Sequence, residues 1–168
     1  PMQPPRTDWD AIVIGGGPAG STAARYIAEG GADVLVIDGR DPIGSPLQCG
    51  ELVPSNAEMC RLCPDVPEID DLLRTPDSAV SMRTSEMRLI PPSGKPLCYD
   101  FEGIVLDRVA HDEALVKLAE SKGAQYLVGS RVESVDGEAV RLRDGSEYTA
   151  RVVIGAGGHN DPLRKSEW

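Results

Sequence analysis

The hydrophobic positions of residues 8–40 predict a strand, a helix and a second strand. The run "DAIVIG" is short, apolar and ended by glycine, which is typical of a buried parallel strand. In "AGSTAARYIAEGG", helical spacing is followed by Gly20, Ala23, Ala24 and Ile27, and small residues there would let the helix lie close to a sheet. Two glycines end that helix, and "ADVLVID" predicts the second strand, so this region is predicted to be a βαβ unit.

The middle of the chain changes character twice. Prolines recur between residues 41 and 78 without a clean period, although "PSNAEMCRLC" predicts one short helix ended by Pro64. From residue 79 onward, four apolar segments predict four short strands, with "PPSG" as a turn between the second and the third. These segments are "AVSMR", "EMRLI", "LCYDF" and "GIVLD".

The last third predicts a second helix followed by a small sheet. The helix is expected over residues 108–122, and Gly123 lies where a left-handed cap belongs. Its expected apolar face is formed by Val109, Leu115, Leu118 and Ala119. The turns "VDGE" and "RDGS" carry Asp-Gly pairs, which favour hairpins. They predict an antiparallel meander leading into a final buried strand, "RVVIGAGG", and an α/β fold.

Composition narrows the class of protein. A chain of 168 residues is predicted to be one domain, and its formal net charge of −10 opposes binding to nucleic acid or through a polybasic membrane patch. Because no apolar run approaches a membrane span and "PMQPPRTDWD" lacks a signal-peptide pattern, we expect a cytoplasmic protein. The cysteines are expected to be free thiols.

The segment "GGGPAG" has the G-x-G-x-x-G spacing of a dinucleotide-binding turn. Gly15 would allow the tight turn, Gly17 would let the backbone approach a pyrophosphate, and Gly20 would permit close helix–strand packing. Asp38 ends the second strand, where a carboxylate accepts hydrogen bonds from a ribose hydroxyl. The alternative is a glycine-rich turn without a ligand, and the motif does not choose between NAD and FAD.

Longer segments resemble a known family. "DAIVIGGGPAGSTAARYIAEGGADVLVIDGR", "IGSPLQCGE" and "LDRVAHDEALVKLAESKGAQYLVGSRVESV" are similar to the geranylgeranyl reductases, FAD enzymes of the para-hydroxybenzoate-hydroxylase-like group. The resemblance covers residues 8–158 and implies a Rossmann-like FAD-binding domain with a parallel sheet and a β-meander. It divides the chain into a fingerprint and Cys-Gly loop (8–75), strands of an incomplete substrate domain (76–105) and the helix, meander and final strand (106–158).

The resemblance also implies roles for single residues. Gly20 and Asp38 would contact the pyrophosphate and the adenosine ribose of FAD, and Val132 would meet the adenine. Arg108 matches an arginine that reaches the cofactor, and a guanidinium suits phosphate or ribityl oxygens. Cys49 would lie beside the flavin with its neighbouring glycine, as the candidate catalytic residue.

The chain departs from the family pattern at two positions. Leu52 stands two residues after Gly50, where glycine is common, and Gly157 stands where aspartate is usual in the final strand. Leu52 in place of glycine argues against a close approach of the backbone to the cofactor at that position. Gly157 in place of aspartate removes one polar contact. Without the resemblance, Cys49 would be interpreted as a small buried hydrophobe. With it, the thiol could shape the pocket, tune the flavin potential or assist protonation.

The implied function is reduction of carbon–carbon double bonds in a polyprenyl lipid by hydride transfer from reduced flavin, with an unidentified electron donor and peripheral membrane contact. The alternatives are a flavin monooxygenase or halogenase, and a non-catalytic FAD-binding fragment or one subunit of a split enzyme. The last alternative arises because the family's second flavin-binding motif would follow "GAGGHNDPLRKSEW". The chain is therefore expected to be either a fragment that lacks a C-terminal half or a naturally short relative, which a partner chain could complete.

The remaining cysteines and histidines have weaker signals. Cys60 and Cys63 form a C-x-x-C pair that is redox-active, half of a zinc site or two free thiols, and we expect no metal because further ligands lack the right spacing. His111 is expected on the surface. His159 follows the final glycines near the expected phosphates, but no acidic partner can be placed for it.

Overall fold

The computed structural model describes residues 6–46, 49–73 and 75–165. The strands are β1 Asp8–Ile14, β2 Val34–Ile37, β3 Leu52–Pro54, β4 Val80–Leu89, β5 Leu97–Leu106, β6 Gln125–Leu127, β7 Val132–Asp136, β8 Ala139–Leu142 and β9 Glu147–Gly155. The helices are α1 Pro18–Glu29, α2 Asn56–Leu62, α3 Ile69–Leu72 and α4 Arg108–Ser121. The described residues fall into a first unit, 6–46 with 112–165, and a second unit, 49–111. The assignment of residues 76–105 to a substrate domain stays a prediction.

The first unit is built on a six-stranded sheet in the order β6-β2-β1-β9-β8-β7. β1 pairs in parallel with β2 and β9, β2 pairs in parallel with β6, and β7, β8 and β9 form an antiparallel meander. The predicted Asp-Gly turns join the meander strands, with Gly137 and Gly145 at positive φ. This confirms the predicted α/β fold with a parallel sheet and a β-meander.

Side chains of the central strands fill two separate cores, one on each face of the sheet. On the helix side, Val13 and Val36 pack with Ala24 of α1 and Ala119 of α4. The opposite side contains larger residues, grouped around Ile12, Leu35 and Ile37 of β1 and β2 and Val140, Leu142 and Tyr148 of the meander. Small residues on the helices therefore let α1 and α4 lie close to the sheet, as expected for α1.

β9 is less buried than the sequence predicted. Val153 and Ala150 pack into the core on the meander side, but Val152, which points to the helix side, is 55% exposed. Ile154 on that side is only partly buried. The prediction of a fully buried final strand is therefore wrong at Val152, which the described helices leave exposed, although Ile154 still packs against the helix-side core.

The second unit holds an antiparallel sheet in the order β3-β5-β4. Two strands of 10 residues each replace the four predicted short strands, because β4 continues through register shifts that break its alternation. Met87 lies opposite Tyr99 and Leu89 opposite Leu97, which places all four side chains on one face of the hairpin. α2 confirms the predicted short helix, and Ser55 caps it by accepting the Glu58 N–H.

α4 has the predicted length but a different buried face. It ends at Ser121, and Gly123 follows with a φ of +111°, which confirms the predicted left-handed cap. The fully buried positions are Asp112 and Ala119, seven residues apart, whereas Leu118 is 38% exposed. Adjacent residues on an α-helix point about 100° apart. Because Leu118 is next to the buried Ala119 in sequence, its side chain points away from the buried position, and the predicted apolar face is wrong at Leu118.

Candidate functional site

Two of the three motif glycines are required by the packing of the protein itself. Gly15 has a φ of +101°, and a Cβ there would lie 2.6 Å from the Ala156 carbonyl carbon. A Cβ on Gly20 would overlap the Gly15 carbonyl oxygen and lie 3.2 Å from the Ala156 side chain. The turn between β1 and α1 therefore needs glycine at both positions whether or not a ligand binds.

Gly17 has no such internal reason. It is the N-cap of α1 with a φ of −68° and a ψ of −173°, which any residue adopts. Within the ranges that the structure describes, a Cβ there would meet only the Arg40 Nη2 atom, at 3.9 Å. No side chain of the described residues caps the helix at this end, and Pro18 occupies its first turn. The N-terminal backbone of α1, with its positive dipole end, therefore borders open space at Gly17.

Asp38 fixes the turn from the end of β2. Its carboxylate is buried and accepts the Gly16 N–H at 2.7 Å and the Arg40 N–H at 2.8 Å. The Arg40 guanidinium adds two longer contacts, from Nε to Oδ1 and from Nη2 to Oδ2, both 3.3 Å. These four contacts pair the two carboxylate oxygens with donors of the protein. Arg40 was not among the predicted site residues, although its place two residues after Asp38 could have suggested it.

A chain of hydroxyl groups holds the other side of the turn. The Tyr126 hydroxyl donates to Ser21 Oγ at 3.0 Å, and the Ser21 hydroxyl donates to the Gly16 carbonyl at 2.8 Å. Burial raises the pKa of Tyr126 to about 12, against the opposing effect of the Ser21 hydrogen bond. Gly16 is thus held through both its N–H and its C=O, which keeps the neighbouring backbone in place before any ligand arrives.

Asp161 supplies a carboxylate at the corner after β9. It is buried, and it accepts the Gly157 N–H at 2.6 Å and the Leu163 N–H at 2.9 Å. A Cβ on Gly155 would lie 2.9 Å from both carboxylate oxygens. Gly157 lacks the side-chain carboxylate that the family pattern usually has at this position. Asp161, four residues later, places a carboxylate against the Gly157 backbone instead. Sequence reasoning missed Asp161, and the only local signal was its place before a proline.

β7 begins beside the end of β2. The Ser130 N–H donates to the Asp38 carbonyl at 3.0 Å, which brings the chain before Val132 next to Asp38. Arg131 lies over Gly39, with its Nε 3.2 Å from where a Cβ would stand. The first unit therefore brings together the predicted residues Gly15, Gly17, Gly20, Asp38 and Val132, and adds Arg40 and Arg131.

The second unit brings together the remaining predicted residues. Cys49 is exposed, so its interpretation as a small buried hydrophobe is wrong, and its Sγ accepts the Glu51 N–H at 3.4 Å. That N–H, and then the Arg108 side chain, stabilise the thiolate and hold the pKa of Cys49 below its usual value, against desolvation. The pairing of Cys49 with Arg108 was not foreseen. The preceding loop residues, 47 and 48, lie outside the described part of the chain.

The two residues around Glu51 differ in their surroundings. Apart from its two chain neighbours, no residue in the described part of the chain places an atom within 4 Å of a Cβ on Gly50. Leu52 is 48% exposed, and its Cδ1 lies 3.1 Å from where a Cβ on Gly103 would stand. Glu51 between them has a φ of +63°, a left-handed conformation that is uncommon outside glycine. Among the described residues the space beside Gly50 is therefore open, while the side chain of Leu52 lies against Gly103 of β5.

The other candidate groups are the remaining cysteines and the two histidines. Cys60, Cys63 and Cys98 are free thiols, and within residues 6–46, 49–73 and 75–165 no three His, Cys, Asp or Glu side chains form a metal cluster. His111 is partly buried rather than fully on the surface, and His159 is exposed. Among the helices that the structure describes, none has both the length and the hydropathy needed to cross a membrane.

Comparison with known sequences finds relatives of two lengths. The model of the NAD(P)-binding Rossmann-like domain matches residues 13–59. An uncharacterized protein in the nifH2 5' region of Methanosarcina barkeri is 36% identical over 97% of this chain and 89% of its own length. The digeranylgeranylglycerophospholipid reductase of Picrophilus torridus is 36% identical over 90% of this chain, and the geranylgeranyl diphosphate reductase of Rhodobacter capsulatus is 37% identical over 93%. The chain spans 39% of the length of each of these two reductases.

Solved structures share the fold. A geranylgeranyl bacteriochlorophyll reductase-like protein from Thermoplasma acidophilum has a TM-score of 0.72 and 30% identity, over 87% of this chain and 38% of its own. PqsL of Pseudomonas aeruginosa, a probable FAD-dependent monooxygenase, has a TM-score of 0.68 and 18% identity, over 94% of this chain and 44% of its own. At that identity the second likeness shows the fold alone.

Proposed function

Because the chain belongs to the geranylgeranyl reductase family, of which it spans the N-terminal part, we propose that it binds FAD and contributes to a flavin-dependent reductase. The proposed reaction is reduction of carbon–carbon double bonds in a polyprenyl lipid. The relatives from Picrophilus torridus and Rhodobacter capsulatus are named reductases of geranylgeranyl compounds, which supports this substrate class. The monooxygenase and halogenase neighbours support the fold but not their own reactions, since they are at most 25% identical.

The observation that carries the proposal is the open space at Gly17. The packing of the protein accounts for glycine at Gly15 and Gly20 but leaves Gly17 unexplained, unless a ligand approaches its backbone. A pyrophosphate suits this place because the N-terminal end of α1 is uncapped and attracts negative charge. The residues present therefore fit the diphosphate of a dinucleotide.

Asp38 is proposed to receive the adenosine ribose. Its two short contacts come from backbone N–H groups and hold the carboxylate in position. The two longer contacts come from the guanidinium of Arg40, a side chain that is 38% exposed. A ribose hydroxyl would replace these longer contacts and leave the turn intact. Val132, at the start of β7, is proposed to meet the adenine.

Cys49 and Arg108 are proposed to face the flavin. When bound, a reduced flavin would supply the hydride for one carbon of the double bond, and the other carbon needs a proton. Cys49 can hold or release a proton at Sγ, and Arg108 stabilises its deprotonated form. Gly50 would let the backbone lie close to the ring, since no described residue apart from its two chain neighbours places an atom within 4 Å of a Cβ there.

The rest of the reductase is proposed to come from further polypeptide. Since the reductases that the chain matches are more than twice as long, we propose a C-terminal half or partner chain that completes the flavin site and holds the lipid. The electron donor, the exact isoprenoid and contact with the cytoplasmic membrane surface belong to that larger assembly. In this proposal the present chain alone binds the cofactor weakly and is a subunit or fragment without full activity.

Titration of the purified chain with FAD, ADP and FMN tests the binding step. FAD and ADP are expected to bind, because both carry the adenosine diphosphate that the first unit would hold. FMN lacks that group and serves as the matched control, expected to bind far more weakly. Equal affinity for FMN and FAD, or no affinity for ADP, would contradict a site built on the glycine turn.

A second experiment tests the reaction. The chain is combined with the C-terminal part of the Picrophilus torridus reductase, loaded with FAD, reduced with dithionite and mixed anaerobically with a geranylgeranyl lipid. Reoxidation of the flavin with saturation of a double bond is the expected result. A flavin that stays reduced with the lipid but reacts with oxygen and an aromatic substrate would favour the monooxygenase alternative instead.

A further inference from the structure

The guanidinium of Arg40 lies between the Asp38 carboxylate and the open backbone at Gly17. Its Nε is 3.3 Å from Asp38 Oδ1, and its Nη2 is 3.3 Å from Asp38 Oδ2. The same Nη2 atom lies 3.9 Å from where a Cβ on Gly17 would stand. One side chain therefore borders both the proposed place of the ribose and the proposed place of the diphosphate.

The Asp38 carboxylate is held in position without this guanidinium. Oδ2 accepts the Gly16 N–H at 2.7 Å, and Oδ1 accepts the Arg40 N–H at 2.8 Å. Charge-assisted N–H to carboxylate contacts are typically about 2.7–2.9 Å long, so the guanidinium contacts are loose. The Arg40 side chain is also 38% exposed, and ion pairs with an exposed partner stabilise a protein little. The guanidinium can therefore change partners at a small cost in free energy.

The backbone of Arg40, in contrast, is fixed on both sides. Its N–H donates to Asp38 Oδ1, and its C=O accepts the Gly129 N–H at 3.2 Å. A change of partner is therefore confined to the side chain and starts from a defined backbone position. This arrangement aims the guanidinium at the glycine turn before a ligand arrives.

The charges around the turn call for a cation at this point. The chain has a net charge of −10, and Asp38 holds a buried carboxylate close to the place proposed for an anionic diphosphate. Two such negative groups repel each other at short range. A guanidinium between them attracts both, and its planar fork of five N–H donors suits phosphate oxygens.

We propose that Arg40 binds the diphosphate of the dinucleotide and gives up its pair with Asp38 to do so. In the free chain the guanidinium pairs with the carboxylate. When a ribose hydroxyl takes its place on Asp38, the guanidinium turns to the phosphate beside Gly17. Arg40 thus adds a phosphate-binding side chain to a turn that otherwise offers backbone N–H groups. This inference rests on the proposed function, because it needs a diphosphate at Gly17.

The test compares the affinities of the whole chain for ADP and for adenosine by calorimetric titration. Arg40→Gln is expected to reduce the advantage of ADP over adenosine by about tenfold or more, because a hydrogen bond to a charged group is lost. Its affinity for adenosine is expected to stay the same or rise, since no guanidinium then competes for Asp38. Thermal unfolding should show little change, because both backbone contacts of Asp38 remain.

Arg143→Gln is the matched control. Arg143 is exposed in the turn after β8, and its replacement removes the same charge. The advantage of ADP over adenosine is expected to stay at the wild-type value. If Arg40→Gln also kept that advantage, or lost affinity equally for both ligands, the role of Arg40 would be overturned while the dinucleotide site stood. If the wild type itself bound no ADP, the dinucleotide site would be wrong and this inference with it.

Nuclear magnetic resonance of the wild-type chain, labelled with ¹⁵N-arginine, adds a readout that needs no variant to bind. The Nε–H signal of Arg40 is assigned by its disappearance in Arg40→Lys. Adenosine can change this signal only through Asp38, whereas ADP also brings phosphate oxygens to the guanidinium. We therefore expect a larger shift with ADP than with adenosine. Equal shifts with the two ligands would overturn the proposal.

Discussion

Replacing Gly17 and Gly20 by alanine separates a glycine required by a ligand from one required by the fold. The Gly17→Ala methyl group points into open space, and the backbone conformation of Gly17 is allowed for alanine. Alanine is a poorer N-cap than glycine, but it also restricts the unfolded chain, which stabilises by about 0.4–1 kcal/mol. The two effects oppose each other, so the free energy of unfolding should change by less than about 1 kcal/mol.

Gly20→Ala is the structural counterpart. Its methyl group would overlap the Gly15 carbonyl oxygen and approach the Gly15 carbonyl carbon to 3.0 Å, so backbone must move. Overpacking of this kind costs about 1–3 kcal/mol, only partly offset by the better helix propensity of alanine, about 1 kcal/mol. For a protein of this size the melting temperature should fall by roughly 2–4 °C for each kcal/mol lost.

The assay combines thermal unfolding with titration by FAD and ADP. Gly17→Ala is expected to melt like the wild type and to lose about tenfold or more in affinity for both ligands, equivalent to about 1.4 kcal/mol. Gly17→Val should abolish flavin retention. If Gly17→Ala kept its affinity for FAD, no pyrophosphate would lie at that backbone and the dinucleotide assignment would be wrong. If it instead melted early, the space at Gly17 would not be free.

Three further predictions concern charge and hydrogen bonding. The pKa of Tyr126 is about 12 in the folded protein, whereas the unfolded phenol ionises from about pH 10, so the free energy of unfolding falls as the pH rises through this range. Tyr126→Phe should remove this part of the fall, which urea unfolding at a series of pH values can measure. Arg108→Gln should raise the pKa of Cys49 and slow its alkylation by iodoacetamide at neutral pH, which mass spectrometry can follow. Asp161→Asn should lower the free energy of unfolding by about 1–3 kcal/mol, because the asparagine side chain has one carbonyl oxygen to accept from the two backbone N–H groups. An unchanged denaturation midpoint would contradict this prediction.

Local patterns were enough for much of the first unit. The βαβ unit, the left-handed cap at Gly123 and the Asp-Gly hairpins follow from short-range rules of periodicity and turn conformation. The same rules placed Gly15 and Gly20 correctly, because their roles depend on a turn between adjacent elements. Such features are predictable since the interactions that decide them lie within a few residues.

Features that depend on distant contacts were not predictable. The burial of Asp112 depends on which face of α4 meets the sheet, and the exposure of Val152 depends on the helices beside β9. The carboxylate of Asp161 reaches Gly157 only because the chain turns back after β9. The Cys49–Arg108 pair joins positions far apart in sequence, and only the resemblance suggested that both belonged to one site.

The β4–β5 hairpin links the fold to the behaviour of the protein in solution. Its apolar face leaves Leu89, Leu97 and Tyr99 about half exposed, and β4 is an edge of the described sheet. Such an edge is a template for pairing with another chain. The net charge of −10 opposes that encounter by repulsion between molecules, and its reach shrinks to roughly 8 Å at physiological ionic strength. Colloidal stability of the isolated chain therefore depends on ionic strength, with salt favouring association through the hairpin.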